Sequence, residues 1–104
     1  MFGIFRSKRK DKINRYIKEG AILLDVRSTT EFEGNHIENS LNIPVQSLDK
    51  HLDQLDKDQP IVTYCARGGR STLAAAKLRK LGYRVVDGGG IRNMRRQLKA
   101  ILRQ

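Results

Sequence analysis

The sequence predicts an α/β domain in which helices flank a mostly parallel central sheet. Short apolar, β-branched runs alternate along the chain with longer segments of helical periodicity, which is typical of layered α/β domains. Residues 21–26 and 61–64 are nearly continuous apolar runs, as expected of parallel strands that are covered on both faces. The length of 104 residues suits one such domain.

Local patterns justify each element of the first 60 residues. Helices are predicted where apolar residues recur every three or four positions, and Gly20 is placed to end the first of them. Strands are predicted where an apolar run is short and closed by a turn residue such as Pro44. In order, the elements are a helix over 12–19, a strand over 21–26, a short helix from a cap at Ser28 or Thr29 to Phe32, a strand over 41–43 and a helix over 47–55.

The second part of the chain repeats the alternation. A β-branched and aromatic run predicts a strand, and an Ala-, Leu- and Lys-rich segment after it predicts a strong helix. Three consecutive glycines predict a turn with unusual dihedral angles. In order, the elements are a strand over 61–64, a loop over 65–71, a helix over 72–81, a strand over 84–86, a turn over 88–90 and a helix over 93–102.

The net charge of +10 is concentrated at the two ends of the chain. Residues 65–104 hold eleven basic side chains and one acidic side chain, Asp87. A nucleic-acid surface would interleave aromatic residues with the basic ones, but this segment has a single aromatic residue, Tyr83. We therefore expect no nucleic-acid partner, and a positive field that draws small anions.

Residues 1–11 are predicted to be a basic tail, and residues 12–104 the folded domain. In the tail the apolar residues precede the basic cluster, which is the reverse of a secretory signal, so export is not expected. With so few apolar residues, membrane contact by the tail is not expected either. A single cysteine excludes an internal disulfide and favours a reducing, cytoplasmic compartment.

The cysteine loop, residues 65–71, carries the chemistry. Cys65 lies where a buried strand ends and a helix begins, the edge at which open α/β sheets bind ligands. Gly68 and Gly69 allow backbone amides to point inward, and Arg67 and Arg70 add positive charge. These groups and the helix N-terminus all favour the thiolate, which is the reactive form of cysteine.

Two chemistries suit a thiolate in an anion cradle. One is attack on phosphorus, as in cysteine phosphatases and arsenate reductases. The other is attack on the outer sulfur of an anionic donor, which gives an enzyme persulfide. Phosphatases have five residues between Cys and Arg, whereas here Ser71 stands at the position of that arginine and Arg70 comes one residue earlier. The shorter loop makes a smaller cradle, which favours sulfur transfer.

Six segments in order resemble the rhodanese family of sulfurtransferases. The resemblance covers roughly residues 12–100 and implies a three-layer rhodanese-like fold with a mostly parallel central sheet. Asn35 stands where the family often has Gly, and Met94 lies in the region where the family often has Trp. The matching segments are 24–27, 31–32, 34–37, 42–44, 64–71 and 88–91.

The resemblance also implies roles for single residues. Cys65 is the persulfide-forming nucleophile, and the loop amides of Ala66, Arg67, Gly68, Gly69 and Arg70 bind the persulfide. Arg67 lies near the mouth, where it binds a donor sulfonate, and Arg70 helps to choose the donor.

Three further motif residues are expected to be structural. Asp25 and Arg27 are expected to join the strand end to its neighbouring loops by charged hydrogen bonds, although Asp25 as a catalytic base stays an alternative. His36 is expected to be a packed, hydrogen-bonded histidine. His51 is expected to face solvent.

The resulting hypothesis is a thiosulfate:cyanide-type sulfurtransferase. Its expected partners are a small anionic sulfur donor and a cyanide, thiol or protein-cysteine acceptor. Neither a cofactor nor a metal is expected, since Cys65 and the two histidines lack metal-ligand spacing. The alternative from another class is a rhodanese fold that binds anions or partners without turnover.

Overall fold

Four parallel strands form a single sheet in the order β2-β1-β3-β4. The computed structural model describes the backbone of residues 2–103 and the side chains of residues 8–103. The predicted layered α/β architecture with a parallel central sheet is confirmed. The strands are β1 (Ile22–Asp25), β2 (Leu41–Asn42), β3 (Ile61–Cys65) and β4 (Val85–Gly90).

Helices connect the strands and cover both faces of the sheet. The segment predicted as a helix over 47–55 is instead a 3₁₀ segment, Val45–Gln54. It is interrupted at His51, whose φ of −128° and ψ of 22° are not helical, so a regular α-helix does not form there. The α-helices are α1 (Phe2–Lys18), α2 (Thr29–Gly34), α3 (Gly69–Lys80) and α4 (Ile91–Leu102).

Two hydrophobic cores lie on opposite faces of the sheet, and the central strand β3 contributes to both. All five residues of β3 are buried, and because strand side chains alternate in direction, each core receives its own set. Ile61 and Cys65 belong to the core beneath α3 and the 3₁₀ segment. Val62 and Tyr64 belong to the core beneath α1 and α4. Cys65 therefore lies on the same side of the sheet as α3.

The first helix is longer than the sequence predicts. It begins at Phe2 and not at residue 12, so helical backbone runs through the segment interpreted as a tail. The division between tail and domain at residue 11 stays a prediction. The prediction that the tail does not contact a membrane depends on apolar side chains in residues 1–7, which lie outside the described side chains. Of the helices within residues 2–103, none combines the length and the apolar character needed to cross a bilayer.

The glycines at 88–90 extend β4 and do not form a separate turn. The pairing of β3 with β4 shifts between Thr63 and Cys65, so that Cys65 pairs with Gly90. Close packing explains the glycines: a Cβ on Gly88 would collide with the Met94 side chain and the Thr63 carbonyl. β4 can approach α4 and β3 only without side chains at this point.

Candidate active site

Cys65 ends β3, and α3 begins only four residues later. The helix starts at Gly69, earlier than the predicted residue 72, so its first turn belongs to the cysteine loop. Gly68 stands before it with a φ of +115°, a conformation that L side chains rarely adopt. Glycine at this position lets the chain pass from the loop into the helix at once, and the N-terminus of α3 comes to the cysteine sulfur.

The loop surrounds the sulfur with hydrogen-bond donors. The backbone N–H of Gly68 donates to Cys65 Sγ at 2.9 Å, and that of Ser71 donates at 3.4 Å. The Ser71 hydroxyl lies 3.5 Å from Sγ, within reach to donate to a thiolate. Only 1% of Cys65 is exposed, so these groups take the place of water around the sulfur.

This environment changes the pKa of Cys65 in the direction that activates it. Burial opposes ionisation of the thiol. The hydrogen bonds from Ser71 and from the Gly68 and Arg67 amides outweigh that cost, and the pKa of Cys65 lies below its ordinary value. The loop is therefore built to hold a sulfur anion.

Arg70 points to a carboxylate outside the loop. Its Nη1 donates to Glu31 Oε1 at 2.7 Å and its Nη2 donates to Glu31 Oε2 at 3.1 Å. These hydrogen bonds, with a further one from the Ser28 backbone, lower the pKa of Glu31 to about 2. Glu31 also closes the capping box at the start of α2 with Ser28. Arg70 thus joins the cysteine loop to α2.

An open cleft of about 440 Å³ lies beside the cysteine loop. Arg67 is exposed and lies on its wall. Arg70 is not among the described residues that line it. The lining residues come from α1, the loop, α3, β4 and α4: Arg9, Arg67, Gly68, Gly69, Thr72, Asp87, Gly89, Gly90 and Asn93.

Asp25 and Arg27 form a buried ion pair at the end of β1. Arg27 Nε and Nη2 donate to the two carboxylate oxygens of Asp25 at 3.0 and 2.8 Å. Arg27 Nη2 also donates to the Asn35 carbonyl at 2.6 Å. The charged hydrogen bonds expected from the sequence are present, and with both oxygens accepting from Arg27 the geometry favours the structural role of Asp25 over that of a base.

The two histidines lie at the surface. His36 is expected to be packed and hydrogen-bonded, and it has both kinds of contact although its side chain is exposed. Its ring stacks on Phe32 with centroids 3.8 Å apart, and its Nδ1 lies 2.8 Å from the Phe32 carbonyl. The chain turns into an extended conformation at Asn35, just after α2, and this brings the ring of His36 back over that of Phe32. His51 is exposed, as expected.

The sequence and the fold of this chain are similar to those of known proteins. A family model described as the rhodanese-like domain matches residues 9–91. The chain belongs to the rhodanese-like family. This rhodanese-like domain is 39% identical over 75 residues to the thiosulfate sulfurtransferase GlpE of Pseudomonas syringae, a match that covers 69% of this chain and 71% of that protein.

The domain is also similar to other proteins and solved structures. The domain is 44% identical over 62 residues to the uncharacterized protein YqhL of Bacillus subtilis, covering 60% of this chain but only 49% of that protein. A rhodanese-related protein from Thermoplasma volcanium shares the fold with a TM-score of 0.70 and 36% identity, over 80% of this chain and 83% of that one. The human single-domain sulfurtransferase TSTD1 gives a TM-score of 0.62 and 29% identity, over 77% of this chain and 85% of that one.

Sequence reasoning missed four residues of the rhodanese-like site. Ser71 follows the last arginine of the loop directly, and its amide and hydroxyl both reach the sulfur. Glu31 is part of a motif, but nothing local pairs it with Arg70. Asp87 stands out in the sequence as the one acidic residue in a basic segment, but that signal does not assign it to the site. Arg9 had no signal, because it belongs to the segment interpreted as a tail.

Gly90 is expected to be essential for the shape of the loop. A Cβ on Gly90 would stand 2.9 Å from the Ala66 carbonyl oxygen and 3.3 Å from the Arg67 Cα, and backbone cannot move aside cheaply. Gly90→Ala should therefore lower the free energy of unfolding by about 1–3 kcal/mol, measured by urea denaturation. Gly34→Ala is the matched control, since a Cβ there meets nothing within 4 Å. Equal stability of the two variants would contradict this account.

Ser71 is expected to set part of the acidity of Cys65. Ser71→Ala removes the hydroxyl that stabilises the thiolate, so the pKa of Cys65 should rise. The rate of iodoacetamide alkylation against pH measures it, because the chain has one cysteine. The wild-type midpoint should lie below that of a free thiol and the Ser71→Ala midpoint above the wild-type one. Ser47→Ala, in the 3₁₀ segment, should leave the profile unchanged; an unmoved midpoint in Ser71→Ala would refute the assignment.

Proposed function

We propose that this rhodanese-like domain is a sulfurtransferase that moves sulfane sulfur from an anionic donor such as thiosulfate to a thiophilic acceptor through a persulfide on Cys65. The observation that carries the proposal is the enclosure of Cys65 Sγ by the amides of Gly68 and Ser71. The name of the Pseudomonas syringae relative, thiosulfate sulfurtransferase, supports the same chemistry.

The first step is attack of the Cys65 thiolate on the outer sulfur of the donor. A bond forms between Sγ and that sulfur, and the sulfur–sulfur bond of thiosulfate breaks. Its electron pair leaves with sulfite, so no external oxidant or reductant is needed. The lowered pKa of Cys65 increases the fraction of the side chain that is thiolate, the form that attacks. Arg67 on the cleft wall attracts the oxyanion end of the donor.

The second step regenerates the enzyme. A nucleophilic acceptor such as cyanide or a thiolate attacks the outer sulfur of the persulfide. The bond between that sulfur and Sγ breaks, and its electron pair returns to Cys65 as thiolate. The backbone amides that donate hydrogen bonds to the thiolate can also donate to the persulfide anion, since the negative charge moves outward by only one sulfur atom. Both intermediates of the cycle are thus stabilised by one set of amides.

Intact mass spectrometry tests this proposal directly. The reduced protein is incubated with thiosulfate and its mass is compared before and after addition of cyanide. We expect a gain of one sulfur atom, lost again on treatment with cyanide. Failure of the wild type to take up sulfur from thiosulfate or from organic persulfide donors would overturn the proposal. Cys65-dependent hydrolysis of an aryl phosphate, with no sulfur uptake, would favour the phosphatase chemistry.

A further inference from the structure

The cleft beside the cysteine loop contains a positive charge from outside the loop. Arg9 belongs to α1, 56 positions before Cys65 in the chain, yet it lines the cleft together with Arg67 and Gly68. Gly68 is also the residue whose amide donates to Cys65 Sγ. Gly68 therefore connects the cleft wall that includes Arg9 with the reactive sulfur.

Asp87 holds Arg9 loosely at this position. The shortest Arg9–Asp87 distance is 3.9 Å, between Nη1 and Oδ2, which is longer than a hydrogen bond. Half of the Arg9 side chain is exposed, at 51%, against 14% for Asp87. Asp87 itself is fixed, because it accepts hydrogen bonds from the Thr72 hydroxyl at 2.7 Å and the Gly89 amide at 2.9 Å. The carboxylate is thus held in place, whereas the half-exposed Arg9 guanidinium makes no direct hydrogen bond to it.

The other loop arginine is already engaged. Both terminal nitrogens of Arg70 bind Glu31, and Arg70 is not among the described lining residues. Among the described lining residues, an anion that enters the cleft thus meets Arg67 and Arg9 as cationic groups and Asp87 as a carboxylate. The balance between Arg9 and Asp87 then decides how strongly the cleft holds an anion.

We propose that Arg9 is a donor-binding residue that receives the oxyanion end of the sulfur donor together with Arg67, and that Asp87 weakens this binding by competing for Arg9. The inference rests on the proposed function for the identity of the anion. It makes α1 part of the substrate site, and it predicts opposite effects for two substitutions at neighbouring side chains.

Steady-state kinetics with thiosulfate and cyanide test the pair. Arg9→Gln should raise the KM for thiosulfate about three- to tenfold with little change in kcat, since one of two cations facing a dianion is lost. Asp87→Asn should lower the KM, because it keeps an acceptor for the Gly89 amide while it removes the competing charge. Lys10→Gln is the matched control: it removes the same charge from the neighbouring exposed position of α1 and should leave the KM near the wild-type value.

A second measurement works without sulfur transfer. Iodoacetate is anionic and iodoacetamide is neutral, and both alkylate the single cysteine. The rate of alkylation by iodoacetate divided by the rate of alkylation by iodoacetamide should fall in Arg9→Gln and rise in Asp87→Asn. The same ratio should stay at the wild-type value in Lys10→Gln. If the wild type takes up no sulfur but these ratios change as stated, the proposed function fails while the anion site stands.

Two results would overturn the inference itself. One is an equal effect of Arg9→Gln and Lys10→Gln on the KM and on the alkylation ratio, which would mean a general field with no site. The other is a rise of the KM in Asp87→Asn, which would mean that Asp87 supports anion binding. The expected pattern also requires that Arg9→Lys recover part of the loss seen in Arg9→Gln.

Discussion

Cys65→Ser is expected to abolish sulfur uptake from thiosulfate. Serine keeps the size and the hydrogen-bonding capacity of the side chain, so the loop amides of Gly68 and Ser71 keep their partner. An alcohol is not ionised in this environment and is a far weaker nucleophile than a thiolate. The rate of sulfite release should fall by at least about three orders of magnitude, and the intact mass should not change on incubation with thiosulfate.

Loss of sulfur uptake in Cys65→Ser identifies the nucleophile only if the variant is still folded. The thermal unfolding midpoint of Cys65→Ser should stay close to that of the wild type, and Cys65→Ala, which leaves only a small void, gives a second variant without a nucleophile. Sulfur bound to either variant would place the nucleophile elsewhere. Because the chain has no second cysteine, such a result would contradict the persulfide mechanism as a whole.

Of the substitutions proposed for this protein, Arg27→Met is expected to lower the free energy of unfolding most. Asp25 is fully buried and Arg27 is 4% exposed, so removal of the arginine leaves a buried carboxylate without its partner. Breaking a buried ion pair from one side costs about 3–5 kcal/mol, a large part of the 5–15 kcal/mol typical of a domain. Methionine keeps most of the volume of the side chain, so the loss reports the charge and not a cavity. Urea denaturation measures it.

Arg84→Met is the matched control for this variant. Arg84 also forms an ion pair, with Glu19 at 3.2 Å, but both side chains are more than 40% exposed. Exposed pairs contribute little, so the denaturation midpoint should barely move. If Arg27→Met unfolded at the same urea concentration as Arg84→Met, the ion pair at the end of β1 would not be a determinant of stability.

The central strands could be predicted because their burial leaves a local trace. A strand covered on both faces is largely apolar, and the mostly apolar runs at 21–26 and 61–64 predicted the strands found at Ile22–Asp25 and Ile61–Cys65. The cysteine loop was also evident, since Cys65, two glycines and two arginines stand within six residues. Features that depend on neighbouring residues in the chain can therefore be predicted from the sequence.

Features that depend on contacts between residues far apart in the chain could not be predicted from the sequence. Three glycines in a row indicate a turn, but here they extend β4, because Met94 and the cysteine loop lie against it. The partner of Arg70 is Glu31, 39 positions away, and no spacing rule connects them. The resemblance gave Arg70 a role in donor choice. In the structure Arg70 is paired with Glu31, so it would have to leave Glu31 before it could contact a sulfur donor.

The Arg70–Glu31 pair simplifies any study of pH in this protein. With the pKa of Glu31 at about 2 and that of Arg70 raised by the same contact, neither partner changes its charge in the range where enzymes are assayed. A proton gained or lost by the site between mildly acidic and mildly alkaline pH therefore does not come from this pair. A pH–rate profile needs no correction for a change of charge at Arg70 or Glu31.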